Sequence, residues 1–160
     1  MGSAGEISQL GHWQIDVKTE RVFWSDEIYE IHGVTKQEYL PDLESTIDFY
    51  HPHDIDKVKK LIHQAIKSGE GWMYQLRIIK PSGELRHIIS NGSIHKNEAG
   101  QPEYIYGVLQ DITDHKKLEN ERNMLAVAVK NTDAGIVMTD AERKVIWCNM
   151  GFELLTGYTL

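Results

Sequence analysis

The stretch "WMYQLRIIKPSGELRHIISNGSIHKNEAGQPEYIYGVLQDIT", residues 72–113, decides the fold. Three runs rich in β-branched and aromatic residues are separated by two turn signals, Pro81-Ser82-Gly83 and residues 97–100. Each run alternates its side chains between two faces, as a half-buried strand does. In the last run one face carries Tyr104, Tyr106, Val108 and Gln110, and the other carries Ile105, Gly107, Leu109 and Asp111. The stretch predicts an antiparallel meander of three strands.

Two short strands and several helices are predicted before this meander. Residues 13–17 and 21–24 have strand composition around a polar turn. Ser25 is a candidate N-cap for a helix over residues 26–32, and Gly33 supplies the left-handed position that ends it. Residues 43–50 indicate a further short helix. Strand, strand, helices and meander together predict an α+β fold around an antiparallel sheet.

The segment "FYHPHDIDKV", residues 49–58, concentrates metal-ligating residue types. His51 and His53 stand one residue apart, and Asp54 and Asp56 follow directly. Zinc and iron sites use these side chains. A binuclear metallohydrolase would carry the pattern H-x-H-x-D-H, but Ile55 stands where its aspartate should be.

The same segment also has the features of a helix start. Pro52 fixes the incoming chain after His51, and Asp54 is placed to accept backbone N–H bonds as a cap. A helical stripe follows at Ile55, Val58, Ile62, Ala65 and Ile66, and Gly69 closes it. We therefore interpret His51, Pro52 and Asp54 as a structural helix start and predict no metal site.

Composition excludes several functional classes. The chain has 160 residues, 41% hydrophobic and 26% charged, with a net charge of -7, which argues against nucleic acid or an anionic membrane as a partner. The single cysteine, Cys148, forms no disulfide framework and fits a reducing cytoplasm. No apolar run is long enough to cross a membrane. We expect a cytoplasmic protein, or the cytosolic part of a receptor whose anchor lies outside this chain.

An internal repeat joins the two ends of the sequence. "GHWQIDVKTERVFWSDEIYEIHGVT" from Gly11 matches "GIVMTDAERKVIWCNMGFELLTGYT" from Gly135. With one-residue slips, the matched pairs are Asp16 with Asp140, Val22 with Val145, Trp24 with Trp147, Glu30 with Glu153 and Gly33 with Gly157. We interpret this as a duplicated unit whose second copy is cut short.

A helix is predicted between the two copies. "TDHKKLENERNMLAVAVKN", residues 113–131, contains neither glycine nor proline and begins with two candidate caps, Thr113 and Asp114. Leu118, Leu125 and Val129 lie near heptad spacing. Too few heptads are present to decide between a coiled coil and a helix that packs on its own domain.

Four segments together resemble a PAS domain of the subclass with an "HPxD" signature and a C-terminal "DIT". They are "FWSDEIYEIHG" (23–33), "HPHD" (51–54), "YQLRIIKPSGELRHI" (74–88) and "GVLQDITDHKKLE" (107–119). Residues 131–158 resemble the opening of a second PAS domain. The expected organisation is a PAS domain over 8–113, a helical signalling linker over 114–131, and a truncated second PAS domain over 132–160.

The resemblance implies a five-stranded antiparallel sheet with helices on one face. Such modules occur in bacterial sensor histidine kinases and cyclic-dinucleotide enzymes such as diguanylate cyclases. It also implies a homodimer, an effector domain in the same polypeptide, and a signal relay at Asp111, Ile112 and Thr113. The expected function is sensory: binding of a small ligand or partner is relayed through the C-terminal helix in signal transduction.

The resemblance raises two cofactors, and the sequence argues against both. Haem would need a histidine near the long helix, but His63 lies off the centre of its apolar stripe. Flavin in the light-sensing subclass needs a "GxNCRFLQ"-like segment, but the first copy has no cysteine and the context of Cys148 does not match. We predict neither cofactor and leave an unknown small ligand open.

Aromatic residues supply the candidate pocket, together with one arginine. The predicted lining is Trp13, Trp24, Tyr29, Trp72, Tyr74, Arg77 and Tyr106. The alternative is that they fill a core and a dimer face, which would make the chain a ligand-free homodimerisation module. A metal-dependent enzyme using His51 and His53 is the third alternative. No catalytic motif is recognisable, so we predict that the chain is not an enzyme.

Overall fold

The computed structural model describes residues 9–158 and contains two compact units that divide at the Thr113–Asp114 bond. Residue 8 and residues 159–160, at the ends of the expected domains, lie outside the described part. The first unit is built on a five-stranded antiparallel sheet in the order β2-β1-β5-β4-β3. Its strands are β1 (Leu10–Asp16), β2 (Val22–Trp24), β3 (Trp72–Ile79), β4 (Leu85–Lys96) and β5 (Pro102–Asp111). Its helices are α1 (Asp26–His32), α2 (Leu43–Ile47) and α3 (Pro52–Ser68). The predicted fold class is confirmed.

Helix α1 packs its apolar side into the core. Ile28 and Ile31 are almost completely buried, and Gly33 ends the helix in the left-handed conformation with a φ of 72°. Ser25 occupies the N-cap position, but its hydroxyl does not cap the helix. It accepts the backbone N–H of His12 instead, at 3.1 Å, and so ties the helix start to β1.

Helix α2 is shorter than predicted. The carboxylate of Asp42 caps its start, and the helix ends at Ile47 instead of continuing to Tyr50. The chain beyond it pairs with the edge strand β3: the backbone N–H of Ile79 donates to the Phe49 carbonyl at 2.7 Å, and His51 N–H donates to the Arg77 carbonyl at 2.8 Å. These bonds replace the helical hydrogen bonds that the sequence pattern predicted.

The core lies between the helices and one face of the sheet. Val58 of α3 and the two buried isoleucines of α1 meet strand residues in one cluster. The strand residues of this cluster are Trp24, Leu76, Ile78, Ile88 and Leu109. Burial of these side chains is the main stabilising contribution to the unit, at about 1.5–3 kcal/mol for each large apolar side chain.

The second unit repeats the start of the first. Helix α4 (Thr113–Asn131) leads to a hairpin of β6 (Val137–Thr139) and β7 (Val145–Cys148), followed by α5 (Met150–Thr156). The backbone N–H of Asn149 donates to the Ile136 carbonyl at 3.0 Å, and the side-chain oxygen of Asn149 accepts the Ile136 N–H at 2.7 Å. Ser25 makes the same pattern with His12 in the first unit. The repeat therefore extends from sequence to individual contacts.

The structure corrects two predicted pairs of the repeat, Trp24 with Trp147 and Glu30 with Glu153. Ser25 and Gly33 flank α1 as Asn149 and Gly157 flank α5, so Glu153 corresponds to Tyr29. Cys148 lies opposite Val137, as Trp24 lies opposite Trp13. Trp147 lies opposite Met138 and corresponds to Phe23. The sequence comparison matched the two tryptophans because it moved the one-residue slip past β7, whereas the structure places the irregularity between Met138 and Thr139.

Candidate functional site

One row of paired residues crosses the inner face of the sheet from edge to edge. In strand order it consists of Trp24, Trp13, Gly107, Gly92 and Trp72. The two glycines leave the centre of the row without side chains. The indoles of Trp13 and Trp72 stack there, with ring centroids 5.8 Å apart and planes 23° from parallel.

A cavity of about 60 Å³ lies next to these indoles, inside the first unit. Its walls come from the sheet and from α1, α2 and α3. The lining residues are Trp13, Ile15, Val22, Trp24, Ile28, His32, Leu43, Thr46, Ile47, Tyr50, Val58, Leu61, Ile62, Trp72, Leu76, Ser90 and Leu109. The lining is therefore mostly apolar, with a few polar groups from separate elements, as is usual in small-molecule sites.

Two buried polar side chains face this interior, and neither was among the predicted pocket residues. Ser90 is 4% exposed, and its hydroxyl oxygen accepts the indole N–H of Trp72 at 3.3 Å. His32 stacks on Trp24 with centroids 4.3 Å apart, and its Nδ1 donates to the Ile28 carbonyl at 2.8 Å. Burial lowers the pKa of His32 to about 4, so its ring is neutral at pH 7.

Tyr50 is a further polar residue in the lining. It follows α2 and forms an isolated antiparallel β-bridge with Ile78 of β3. Burial raises the pKa of its phenol to about 12, so the hydroxyl stays protonated at neutral pH. The cavity thus offers hydroxyl and imidazole groups but no ionised side chain.

The predicted pocket residues divide into two groups. Trp13, Trp24 and Trp72 line the cavity. The other four lie outside it. Tyr29 packs edge-on against Trp24 at 5.3 Å, and Tyr74 is 42% exposed with the Lys57 ammonium 4.6 Å from its ring. Tyr106 is 46% exposed on the opposite face of the sheet, because β5 alternates and Gly107 points inward. Arg77 is held by an ion pair with Asp54.

The histidine-rich segment starts α3, with roles different from those expected. His51 occupies the N-cap, its Nδ1 accepts the His53 N–H at 3.1 Å, and Pro52 is the first helical residue. Asp54 does not cap the helix. Its two oxygens bind the Arg77 guanidinium at 2.8 and 3.0 Å and also accept the Arg77 backbone N–H. This pair holds the pKa of Asp54 below its usual value. Within residues 9–158 no group of three or more His, Cys, Asp or Glu is arranged to hold a metal ion.

The junction between β5 and α4 is tied to β4 on three consecutive residues. Ile112 N–H donates to the His87 carbonyl at 2.8 Å, and the Thr113 hydroxyl accepts the His87 N–H at 3.0 Å. Asp111 accepts the Thr113 N–H at 3.0 Å and lies 3.5 Å from Arg86 Nε. Ile112 and Thr113 are 8% and 3% exposed. The first residue of α4 is thus fixed to the sheet that encloses the cavity.

The chain is similar to sensory proteins over most of its length. It is 22% identical over 160 residues to the probable diguanylate cyclase DgcE of Escherichia coli, covering 98% of this chain and 14% of that protein. It is 26% identical to a blue-light-activated histidine kinase of Brucella ovis, covering 76% of this chain and 24% of that protein. The chain thus spans less than a quarter of the length of either relative. Among the helices of residues 9–158, none is long and apolar enough to cross a membrane.

A solved structure shares the fold. The sensory box histidine kinase/response regulator from Burkholderia thailandensis superposes with a TM-score of 0.62 at 23% identity, over 78% of this chain and 93% of that chain. The sequence model of the family described as PAS fold matches residues 21–109, more than half of the chain. With its five-stranded sheet, its helices on one face and this match, the chain belongs to the PAS family of sensory domains.

Proposed function

We propose that the first unit is an input module in which occupation of the cavity changes the position of α4. The observation that carries this proposal is the continuity of β5: Leu109 lines the cavity, and Asp111 and Thr113, two and four residues later, bind each other and β4. A ligand can shift the junction only if it binds two arrangements with different affinity. The effector that receives the signal lies elsewhere in the polypeptide, in keeping with the kinase and cyclase relatives.

Amide hydrogen exchange at the start of α4 tests this relay. Leu109→Val removes one methylene from the cavity wall, at a cost of about 1 kcal/mol. We expect faster exchange at Ile112 and through the first turn of α4. Val108→Ala is the matched control, because Val108 is on the same strand, is 36% exposed and points to the opposite face. Unchanged exchange at Ile112 in Leu109→Val would show that the cavity and the helix are not coupled.

The Thr113 hydroxyl is the second half of the test. Thr113→Val removes the acceptor for the His87 N–H, whereas Thr113→Ser keeps it. We expect Thr113→Val to abolish the effect of Leu109→Val on α4 and Thr113→Ser to preserve it. Equal behaviour of the two variants would assign Thr113 a packing role only.

We infer that the residues after the linker are the start of a second PAS domain, which would place α4 between two sensory modules. Its support is the repeated hairpin and helix, with Gly157 at a φ of 76° where Gly33 has 72°. Exposed apolar side chains are frequent in this unit, including Met138, Ile146, Leu154 and Leu155. A two-stranded sheet and a short helix do not cover such residues by themselves.

Homodimerisation is the second candidate function, and the exposed apolar residues on the outer face of the sheet favour it. Apolar residues that share this face are Leu10, Phe23, Met73, Tyr106 and Val108, between 36% and 67% exposed. A clustered apolar face marks protein interfaces more often than single exposed residues do. Sedimentation of wild type and Phe23→Lys would test it: a dimer that Phe23→Lys dissociates supports the proposal, and a monomeric wild type contradicts it.

A further inference from the structure

The lining of the cavity defines the kind of ligand that the first unit can take. None of its seventeen residues is Asp, Glu, Lys or Arg. The histidine among them, His32, donates Nδ1–H to the Ile28 carbonyl, which can only accept. Its Nε2 is then an acceptor, and the low pKa of the buried ring leaves no cation at pH 7. An ionised ligand would lose its hydration here and gain no opposite charge.

The polar lining groups retain hydrogen-bonding capacity for a ligand. The Ser90 oxygen already accepts the Trp72 indole N–H, so its own hydrogen remains a donor. Tyr50 contributes a phenol that can donate or accept. A hydroxyl or carbonyl group satisfies such partners, whereas a pure hydrocarbon leaves them without a ligand contact.

The volume limits the size of the ligand. One water molecule needs about 10–15 Å³ of such cavity volume. The 60 Å³ of the cavity therefore correspond to about five non-hydrogen atoms. We propose that the cavity binds a neutral, largely apolar molecule of about this size that carries one hydroxyl or carbonyl group. This proposal rests on the proposed function, because it takes the cavity as the sensory site.

Three probes of matched shape test the ligand class: 1-butanol, butyrate and n-butylammonium. The reporter is the indole N–H resonance of Trp72 in the ¹⁵N-labelled chain, because that group contacts Ser90 in the cavity wall. Trp147, in the second unit, is an internal reference. We expect a saturable shift of the Trp72 resonance with 1-butanol and at least tenfold weaker binding of both ions. Equal binding of either ion, or no saturable shift with 1-butanol, would overturn the proposal.

A substitution that fills the cavity with a larger side chain should weaken ligand binding. Ser90→Thr adds one methyl group to the wall and keeps the hydroxyl, and we expect it to weaken 1-butanol binding at least tenfold. Ser82→Thr makes the same change at an exposed turn and should leave binding unchanged. Val22→Ile adds a methyl group to the cavity wall from β2 and should also weaken 1-butanol binding at least tenfold. This variant replaces Ser90→Thr in the test if Ser90→Thr folds poorly. Undiminished binding in the filled variants would place the ligand elsewhere.

The two proposals fail in distinguishable ways. Failure of 1-butanol to bind, with the Leu109→Val effect on α4 intact, overturns the ligand class and leaves the relay. Saturable binding without any effect of Leu109→Val on α4 overturns the relay and leaves the ligand class.

Discussion

The indole rings of Trp13 and Trp72 stack with centroids 5.8 Å apart although their strands are three positions apart in the sheet. Their backbones are therefore separated by about 14 Å, at about 4.8 Å per strand. Gly107 and Gly92 occupy the two positions between them. A Cβ at Gly92 would clash with the Trp72 ring, and a Cβ at Gly107 would clash with the backbone of Asn91, so neither position accommodates a side chain. The stack forms one wall of the cavity.

Gly92 should control the position of Trp72. A Cβ at Gly92 would lie 2.5 Å from the Trp72 ring, so Gly92→Ala must displace the indole. We expect loss of the hydrogen bond to Ser90, a shifted Trp72 indole resonance, and destabilisation of about 1–3 kcal/mol in urea unfolding. Ser93→Ala, at the next residue on the opposite face, is the control. It should leave the Trp72–Ser90 hydrogen bond, the Trp72 resonance and the stability unchanged. An unmoved Trp72 resonance in Gly92→Ala contradicts the account.

The ion pair between Asp54 and Arg77 should stabilise the start of α3. The Asp54 side chain is 14% exposed and the Arg77 side chain 35%. We expect Asp54→Asn to lower the free energy of unfolding by about 1–2 kcal/mol, a value reduced for solvent screening. Asp26→Asn removes a carboxylate whose partner, Lys36, is exposed, as Asp26 itself is, and should have a much smaller effect. Equal effects of the two variants would assign the pair no special role.

This ion pair also sets a pH dependence. The pKa of Asp54 is lowered in the folded state, first by its hydrogen bond to Arg77. A carboxyl group with a depressed folded pKa stabilises the fold above its unfolded pKa, about 3.9, and loses this contribution as the pH falls through the folded value. The difference between wild type and Asp54→Asn should therefore shrink below about pH 4.

His32 should make stability depend on pH in a higher range. Its folded pKa of about 4 lies below the usual histidine value of about 6.5, because burial disfavours the imidazolium. The contribution of His32 to the free energy of unfolding is fully present above about pH 6.5. It is lost progressively as the pH falls from there to about pH 4, by up to about 3 kcal/mol in total. We expect His32→Phe to remove this part of the pH profile. His63→Phe, at an exposed position of α3, should retain it. Identical profiles for wild type and His32→Phe would contradict the assignment.

Sequence patterns predicted the structural features that are determined by residues close together in the chain. The helix over residues 26–32, its stop at Gly33 and the meander agree with the structure because caps, turns and alternation are local signals. Burial of His32 was also open to prediction, since Ile28, Ile31 and His32 have the spacing of one helix face.

Properties that depend on pairing across the sheet were not predictable in this way. Alternation shows that Tyr106 and Gly107 face opposite sides, but not which side the helices cover. The Asp54–Arg77 pair joins residues 23 positions apart, and no spacing rule connects them. The same holds for the Trp72–Ser90 bond, because strand register places these residues together. Of the predicted pocket residues, the three tryptophans line the cavity, whereas Tyr74 and Tyr106 are exposed and lie outside it.

Asn149 should be the residue on which the second unit depends most. Its side-chain oxygen accepts the N–H groups of Ile136 and Phe152 at 2.7 and 2.9 Å, and its amide donates to the Val129 and Ala134 carbonyls, each at 2.9 Å. Asn149 is 2% exposed, so Asn149→Ala leaves four backbone groups unpaired, and we expect a loss of about 2–4 kcal/mol. Amide exchange at Ile136 and Phe152 should accelerate accordingly. Asn131→Ala, at the exposed end of α4, is the matched control, and equal exchange in the two variants would show that this side chain does not join α4 to the hairpin.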